Sequence, residues 1–274
     1  MLSVNTNIGA MAALQFLNQT QTDLQTTQSH INSGLKVANA KDNGAVYAIA
    51  QNMRGNVAGY AAVGDSLNRG VSTVDVAISA GQSISDLLNE LKGKALAAAD
   101  ASLDTASRNA LNADFTALRD QITTIVQNAS FNGTNLVDGS VANFQALASA
   151  DGTKKITAQG QTLSLGGAVV TIATTSTIST QAKASTMIST VNSSIQNVNA
   201  ALAKLASGVK KFQIQATFVS KLVDTLNAGI GNLVDADMAV ESARLQSLQV
   251  KQQLGVQALA IANSAPSITL SLFR

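Results

Sequence analysis

The stretch LVDADMAVESARLQSLQVKQQLGVQALAIANSAPSITLSLFR, residues 233–274, carries two apolar stripes at helical spacing. The first stripe consists of Met238, Leu245, Leu248 and Leu259; the second consists of Val240, Val250, Leu254, Ile261 and Ile268. Because the two patterns are offset by two residues, the stripes point about 200° apart around an α-helix. A helix that is apolar on two sides needs packing partners on two sides.

The same stretch is poor in charge. After Arg244 and Lys251 it has no ionised side chain before Arg274, and Gln, Ser and Asn fill the polar positions. A surface helix of a globular protein normally carries Lys and Glu on its solvated face. We therefore predict that this helix is surrounded by protein, and that further copies of the same chain supply part of that protein.

The composition favours long helices over a globular core. The 274 residues include no Cys, no Trp and one Pro, and only 3% are aromatic although 46% are apolar. Compact cores usually take much of their buried area from aromatic side chains. Without cysteine the chain can form neither disulfides nor thiolate metal sites. A net charge of +2 with 12% charged residues argues against nucleic acid as a partner.

The sequence gives no sign of membrane insertion or of a standard secretory signal. The N-terminal segment MLSVNTNIGAMAALQF lacks a basic region followed by a continuous apolar run. No window of about 20 residues is apolar enough to span a bilayer. We expect no membrane insertion.

The N-terminal region resembles the C-terminal one in being poor in charge. Asp23 is the only charged residue from Val4 to Leu35, and the apolar positions are Leu14, Leu17, Leu24, Ile31 and Leu35. Gln21 and Gln28 interrupt the stripe, which weakens it as an autonomous coiled coil. Isolated helices gain little stability from propensity alone. We expect both chain ends to be weakly ordered in the free monomer and to require partners.

Between the two ends, breaker residues and charge patterns divide the chain. Turn-forming residues at 33–34 and 39–44 precede a long helix predicted from about Ala45 to Ala99. Asp104 is a candidate N-cap for the next helix.

Two short runs, KKITAQ and AVVTIA, have strand-like composition between residues 144 and 177. A helical period resumes from about Thr180 to Asn227. We predict that the segment AGIGN at 228–232 ends that helix and that Asp235 caps the last one.

Several short phrases occur along the chain in a distinctive order and spacing. They are Val4-Asn5-Thr6-Asn7, Ser33-Gly34-Leu35-Lys36, Ala40-Lys41-Asp42, Ala48-Ile49-Ala50, Met53-Arg54, Phe131-Asn132-Gly133, Leu136-Val137-Asp138-Gly139, Asp235-Ala236-Asp237, Leu254-Gly255, Ala260-Ile261-Ala262-Asn263, Pro266 and Leu270-Ser271-Leu272. In this order they resemble bacterial flagellin, the subunit of the flagellar filament. Each phrase alone is a weak signal, whereas their combined order is specific. The phrases cover both ends and much of the middle.

This resemblance implies a mainly α rod with a small β-hairpin region. Residues 1–43 and 228–274 would form terminal helices in a coiled-coil filament core, and residues 44–227 an outer rod with a hairpin region at about 136–177. The residues expected to carry subunit–subunit assembly are Leu14, Leu17, Leu24, Ile31, Leu35, Met238, Leu245, Leu248, Val250, Leu254, Leu259, Ile261 and Ile268. The variable outer domains of larger flagellins have no counterpart here.

The resemblance further implies a secreted, extracellular subunit of the flagellum that serves swimming motility. Flagellins are exported unfolded through a flagellar type III apparatus. The partners implied are copies of the chain, related flagellins, an export chaperone, the filament cap and hook-associated proteins.

Other classes of function have less support. His30 is the only histidine, and a zinc site needs several converging ligands, so we expect no enzyme, cofactor or metal site. A lipid-surface helix usually carries Lys and Arg beside its apolar face, and these ends do not. Within the structural class, the alternative is a flagellin-like junction protein between hook and filament, which shares both terminal helices.

Overall fold

The computed structural model describes the backbone of residues 6–271 and the side chains of residues 6–264. Its elements in chain order are α1 (Ile8–Ser33), α2 (Gly44–Ala98), α3 (Thr105–Asn128), β1 (Ser130–Phe131), β2 (Thr134–Asn135), β3 (Asn143–Leu147), β4 (Lys155–Gln159), α4 (Gln181–Val234) and α5 (Met238–Ser271). The prediction of a mainly α fold with a small β-hairpin region is confirmed.

The chain divides into two compact units. One consists of the described parts of residues 1–55 and 225–274, which include α1 and α5; the other consists of residues 56–224. The second unit has a continuous hydrophobic core, to which α2, α3, the β3–β4 hairpin and α4 contribute.

Aspartate side chains cap the N-termini of α3 and α5. The Asp104 side chain accepts a hydrogen bond from the Ser107 backbone N–H at 2.8 Å, so the predicted cap of α3 is confirmed. The predicted cap of α5 is wrong by two residues. Asp237, not Asp235, accepts hydrogen bonds from the backbone N–H groups of Ala239 and Val240, at 2.9 and 3.2 Å.

The prediction that residues 228–232 end the preceding helix is wrong, because α4 continues to Val234. Both glycines of this segment lie inside the helix. A β-carbon at Gly229 would lie 3.0 Å from the Met53 Cε atom, and one at Gly231 would lie 2.7 Å from a carboxylate oxygen of Asp235. The glycines therefore accommodate close neighbours and do not terminate the helix.

One of the two predicted strand runs forms a strand and the other does not. KKITAQ contributes β4, which pairs antiparallel with β3 from Asn143↔Gln159 to Leu147↔Lys155. In AVVTIA, residues 168–173, the only strand pairing is an isolated bridge from Leu165 to Val170. The Thr171 N–H donates instead to the Ser194 hydroxyl of α4 at 3.0 Å. The run has the apolar content of a strand but pairs with a helix side chain.

Small residues allow close packing within the residue 56–224 unit. A β-carbon at Gly70 would lie 3.1 Å from the Phe144 ring and 3.2 Å from the Phe212 ring, and one at Gly81 would lie 2.7 Å from Leu202. The two phenylalanine rings meet edge to face, with centroids 6.1 Å apart. The α2 glycines thus admit side chains of α4 and of the hairpin.

Truncation of Phe212 tests this packing. Phe212 is fully buried, so we expect Phe212→Ala to lower the free energy of unfolding by about 3–5 kcal/mol. The measurement is equilibrium urea unfolding of the monomer. Phe218→Ala on the same helix is the matched control, because Phe218 is 55% exposed, and its expected effect is below about 1 kcal/mol. Equal losses from the two variants would contradict the assignment of the core.

The turn between β3 and β4 is organised around an aspartate. The Asp151 carboxylate accepts hydrogen bonds from the Ser149 hydroxyl and from the backbone N–H and hydroxyl of Thr153. These hydrogen bonds hold the pKa of Asp151 below its ordinary value of 3.8, the Ser149 hydroxyl having the largest effect. Because the pKa is lowered in the folded state, the contribution to stability is present above pH 3.8 and is lost as the pH falls through the lowered pKa.

A carboxyl titration followed by NMR checks this turn. We expect Ser149→Ala to move the pKa of Asp151 upward toward 3.8, because the variant removes the hydroxyl donor. Ser193→Ala, on α4, is the control and leaves that pKa unchanged. A native Asp151 that titrates at or above its ordinary value would contradict the hydrogen bonding described.

Candidate assembly surface

Helices α1 and α5 form an antiparallel pair. The Asn7 side-chain amide, at the start of α1, donates to the Ala262 carbonyl near the end of α5 at 2.6 Å. The Gln252 amide donates to the Gln21 side-chain oxygen at 2.7 Å. Gln21, which interrupts the apolar stripe of α1, therefore has a polar partner on α5.

The first apolar stripe faces α1. Leu248 is 5% exposed, and Leu245 and Leu259 are half-buried. Gly255 lies on the same side of α5, where an added β-carbon would lie 3.3 Å from a Leu17 methyl group of α1. Met238, the first residue of α5, is 44% exposed. Three of the four first-stripe residues are therefore covered within one copy of the chain.

The second apolar stripe is uncovered wherever its side chains are described. Val240, Val250, Leu254 and Ile261 are 59%, 55%, 57% and 71% exposed. Ile268 belongs to α5, but its side chain lies outside the described residues. One copy of α1 covers one side of α5, and the other side is open.

The predicted apolar residues of the N-terminal region divide in the same way. Leu24 is buried, and Leu17 and Ile31 are half-buried on the α5 side of α1, whereas Leu14 is 47% exposed. Leu35 follows the helix; it is half-buried and forms a backbone bridge with Asp235.

Several exposed apolar residues were absent from the predicted set. They are Ile8, Met11, Phe16 and Val256, between 54% and 74% exposed. Ile8, Met11 and Leu14 recur at three-residue spacing, the signal that could have indicated a second face on α1. Phe16 also lines a groove at the α1–α5 junction together with Leu17, Leu248 and Leu254.

A buried polar pair joins the two helices near the C-terminal end of α1. His30 Nδ1 lies 3.1 Å from Glu241 Oε1, and the two side chains are 16% and 11% exposed. The second carboxylate oxygen, Oε2, is buried without a hydrogen-bond partner. His30 therefore has a structural partner that sequence spacing did not indicate, since 211 residues separate the two positions.

Within the part of the chain that the structure describes, no group of three or more His, Cys, Asp and Glu residues is placed to hold a metal ion. No helix among the described residues is long and apolar enough to cross a membrane.

Two family models match this chain. Residues 4–142 match the bacterial flagellin N-terminal helical region, and residues 170–273 match the bacterial flagellin C-terminal helical region. The chain belongs to the flagellin family. The resemblance noted in the short sequence phrases is thereby confirmed.

Relatives of similar length support the assignment. Flagellin FljK of Caulobacter vibrioides is 54% identical over 272 residues, covering 99% of this chain and 98% of the relative. A flagellin of Brucella melitensis is 37% identical over 283 residues, with both chains fully covered. A crystal structure of Bacillus cereus flagellin aligns with a TM-score of 0.49 at 20% identity, covering 55% of this chain and 86% of that one; the family assignment does not rest on this alignment.

As a flagellin, the chain is a structural subunit of the extracellular flagellar filament, and it self-assembles. Nothing in the comparisons favours the alternative of a hook–filament junction protein. The family's role is structural.

A double-mutant cycle measures the buried polar pair. His30→Leu removes the only partner of a buried carboxylate, so we expect it to destabilise the α1–α5 pair more than His30→Leu/Glu241→Leu does. The expected coupling energy is about 1–3 kcal/mol, measured by native-state hydrogen exchange of the α1 amides. The exposed Gln21–Gln252 pair, changed to Leu in the same way, is the control, with a coupling below about 1 kcal/mol. Additive effects at His30 and Glu241 would show that the contact contributes nothing.

Proposed function

We propose that the second apolar stripe of α5, together with the exposed apolar residues of α1, forms the subunit–subunit contact of the filament core. The observation that carries this proposal is the exposure of Leu254 and Ile261, at 57% and 71%. Leu254 lies at the edge of the α1–α5 groove, where α1 leaves most of its side chain uncovered. Soluble monomers rarely expose extended apolar surface unless it binds something. In a filament, the occupant is another copy.

The two stripes then have different tasks. The first stripe, with Leu17, Leu24 and Ile31, pairs α5 with α1 inside a subunit. The second stripe, with Leu14, binds neighbouring subunits. Burial of each large aliphatic side chain contributes about 1.5–3 kcal/mol. Burial of the four second-stripe residues whose side chains are described would therefore offset a substantial part of the conformational entropy lost when the chain ends become ordered.

We further propose that residues 1–43 and 228–274 constitute the inner core and residues 44–227 the outer rod. Supporting this division, the α1–α5 pair falls in one compact unit and the continuous hydrophobic core in the other. The large apolar side chains left exposed are also concentrated on α1 and α5. The outer part can thus fold around its own core while the inner part depends on partners.

The remaining partners follow from the same exposed surface. A subunit exported unfolded through the flagellar type III apparatus needs its apolar ends covered before and during assembly. We propose that an export chaperone covers the second stripe before export, and that the filament cap and hook-associated proteins meet the same terminal helices at the ends of the filament.

Substitutions on the two stripes distinguish α1–α5 pairing within a subunit from filament growth between subunits. We expect Leu254→Asp and Ile261→Asp to abolish filament growth while leaving the monomer's helical content unchanged, because each places a charge at a site exposed in the monomer and buried in the filament. Leu248→Asp, at a buried site, should reduce both helical content and growth. Circular dichroism of the monomer and electron microscopy of seeded growth are the two measurements.

Gln249→Asp is the matched control, since Gln249 is an exposed α5 residue about 100° around the helix from Val250. It should polymerise like the parent chain. Full-length filaments from both Leu254→Asp and Ile261→Asp would rule out the second stripe as the core contact.

A further inference from the structure

Strand β4 has a hydrogen-bonded neighbour on one edge only. It pairs with β3 in a two-stranded antiparallel sheet. Just beyond one end of this ladder, the Ala148 N–H donates to the Lys154 carbonyl at 2.9 Å. Beyond the other end, the Gly160 N–H donates to the Ala142 carbonyl, also at 2.9 Å. Alternate residues of an antiparallel strand turn their backbone groups toward the partner and away from it. The even-numbered residues of β4 therefore face β3, and the odd-numbered residues face the opposite edge.

The opposite edge is covered only beyond the end of β4. There the Gln161 and Leu163 N–H groups donate to the carbonyl groups of residues 136 and 137, at 2.8 and 2.7 Å. These donors are odd-numbered, so residues 136–137 lie on the edge that β3 does not occupy. Within β4 the odd-numbered residues are Lys155, Thr157 and Gln159. None of the backbone hydrogen bonds that the described residues form outside the β3–β4 ladder involves these three. The strand therefore presents a free edge with unpaired N–H and C=O groups.

A groove of about 510 Å³ lies at this edge, between β4 and α4. Its lining includes Thr157, Gln159, Lys204, Ser207 and Lys211. Gly208 of α4 packs against Ala158 of β4, where an added β-carbon would lie 3.0 Å from the Ala158 methyl group. That close approach holds the strand beside the two lysines, so the groove is a feature of the packed fold.

Helix α4 runs alongside the hairpin, so its lysines are spread along the groove. About two turns beyond the contact of Gly208 with β4, the Gln215 amide donates to the Ala148 carbonyl at 3.2 Å. Lys204 and Lys211 are about 10 Å apart along the helix axis. About three residues of an extended strand span that distance. The two lysines can therefore meet alternate side chains of one strand placed in the groove.

The groove is positively charged and is not neutralised inside one copy. Its lining contains Lys204 and Lys211 but no acidic residue, and both lysines are exposed. Lys155, at the start of β4, adds a third exposed ammonium group close by. None of the ion pairs formed by the described residues involves any of these three lysines. The field at the free edge therefore favours a negatively charged occupant.

We propose that the free edge of β4 binds an extended acidic segment of a partner protein. The segment adds to the hairpin as a third strand, and its backbone groups hydrogen-bond to those of Lys155, Thr157 and Gln159. Acidic side chains at alternate positions of the added strand meet Lys204 and Lys211. Backbone pairing supplies the affinity, and the lysines select the charge of the partner.

A second copy of this edge does not fit the groove. Its β4 carries Lys155, directly after Lys154, and lies beside the same groove lysines. Pairing of two β4 edges would therefore bring like charges together. The occupant is a different, acidic chain. The site belongs to the residue 56–224 unit, so it does not rest on the core contact proposed for α5.

Hydrogen exchange followed by NMR tests the free edge with a defined probe, a hexapeptide of alternating glutamate and valine with blocked ends. In the monomer we expect the amides of Lys155, Thr157 and Gln159 to exchange at least about tenfold faster than those of Ile156 and Ala158, which face β3. Saturating peptide should slow the first three about tenfold and leave the other two unchanged. Equal protection of all five amides in the free monomer, or no slowing with peptide, would overturn the proposal.

Calorimetric titration with the same peptide tests the groove lysines. We expect Lys204→Gln/Lys211→Gln to weaken binding about tenfold at about 0.1 M salt, where such charges are only partly screened. The matched control is Lys41→Gln/Lys92→Gln, which removes the same charge at exposed positions outside the groove. It should bind within about twofold of the parent chain, and circular dichroism shows that both variants are folded. Parent-like binding by the groove variant, or equal weakening by the control, would contradict the proposal.

Two altered peptides separate strand addition from simple charge attraction. A hexapeptide of alternating lysine and valine reverses the charge, and the glutamate–valine peptide N-methylated at every residue keeps the charge but cannot donate backbone hydrogen bonds. Each should bind at least about tenfold more weakly than the original peptide. Undiminished binding of the lysine peptide would show that charge does not select the partner. Undiminished binding of the N-methylated peptide would show that the contact is not strand addition, and either result would refute the proposal.

Discussion

The structure depends on one packing constraint: α5 is apolar on two opposite sides, and α1 can cover only one of them. Helix α1 buries Leu248 and its neighbours and leaves Leu254 and Ile261 in solvent. A two-helix pair has no third element with which to cover the remaining side. In the proposal made above, further copies of the chain cover that side, which links the exposed stripe to the self-assembly of a flagellin.

The residue 56–224 unit differs because it has a buried core of its own. Its long helices and hairpin enclose side chains such as Phe212 and Leu205 completely, and the α2 glycines admit these side chains at short distance. This unit closes its core without a partner. Its outward faces carry charged and exposed apolar side chains, and exposed charges contribute little to the stability of one copy.

Polar contacts cross the α1–α5 interface at two points. Gln21 pairs with Gln252, and His30 with Glu241, so the two helices have an antiparallel register marked by polar contacts as well as by apolar packing. A buried carboxylate with one unpartnered oxygen is a costly group. If α1 and α5 paired in a different register, Glu241 would lose His30 as well, and an entirely unpaired buried carboxylate would cost more.

By itself the sequence determined the mainly α fold, the two stripes of α5, the cap at Asp104 and the family, because helical periodicity and ordered short phrases are local signals. It misjudged the end of α4 and the run at 168–173, since glycine and β-branched residues take their conformation from their neighbours. Only the tertiary structure decided which stripe α1 covers, that His30 meets Glu241, and that Lys204 and Lys211 line one groove with β3 and β4. Those facts depend on contacts between residues far apart in the chain, for which spacing along the sequence carries no information.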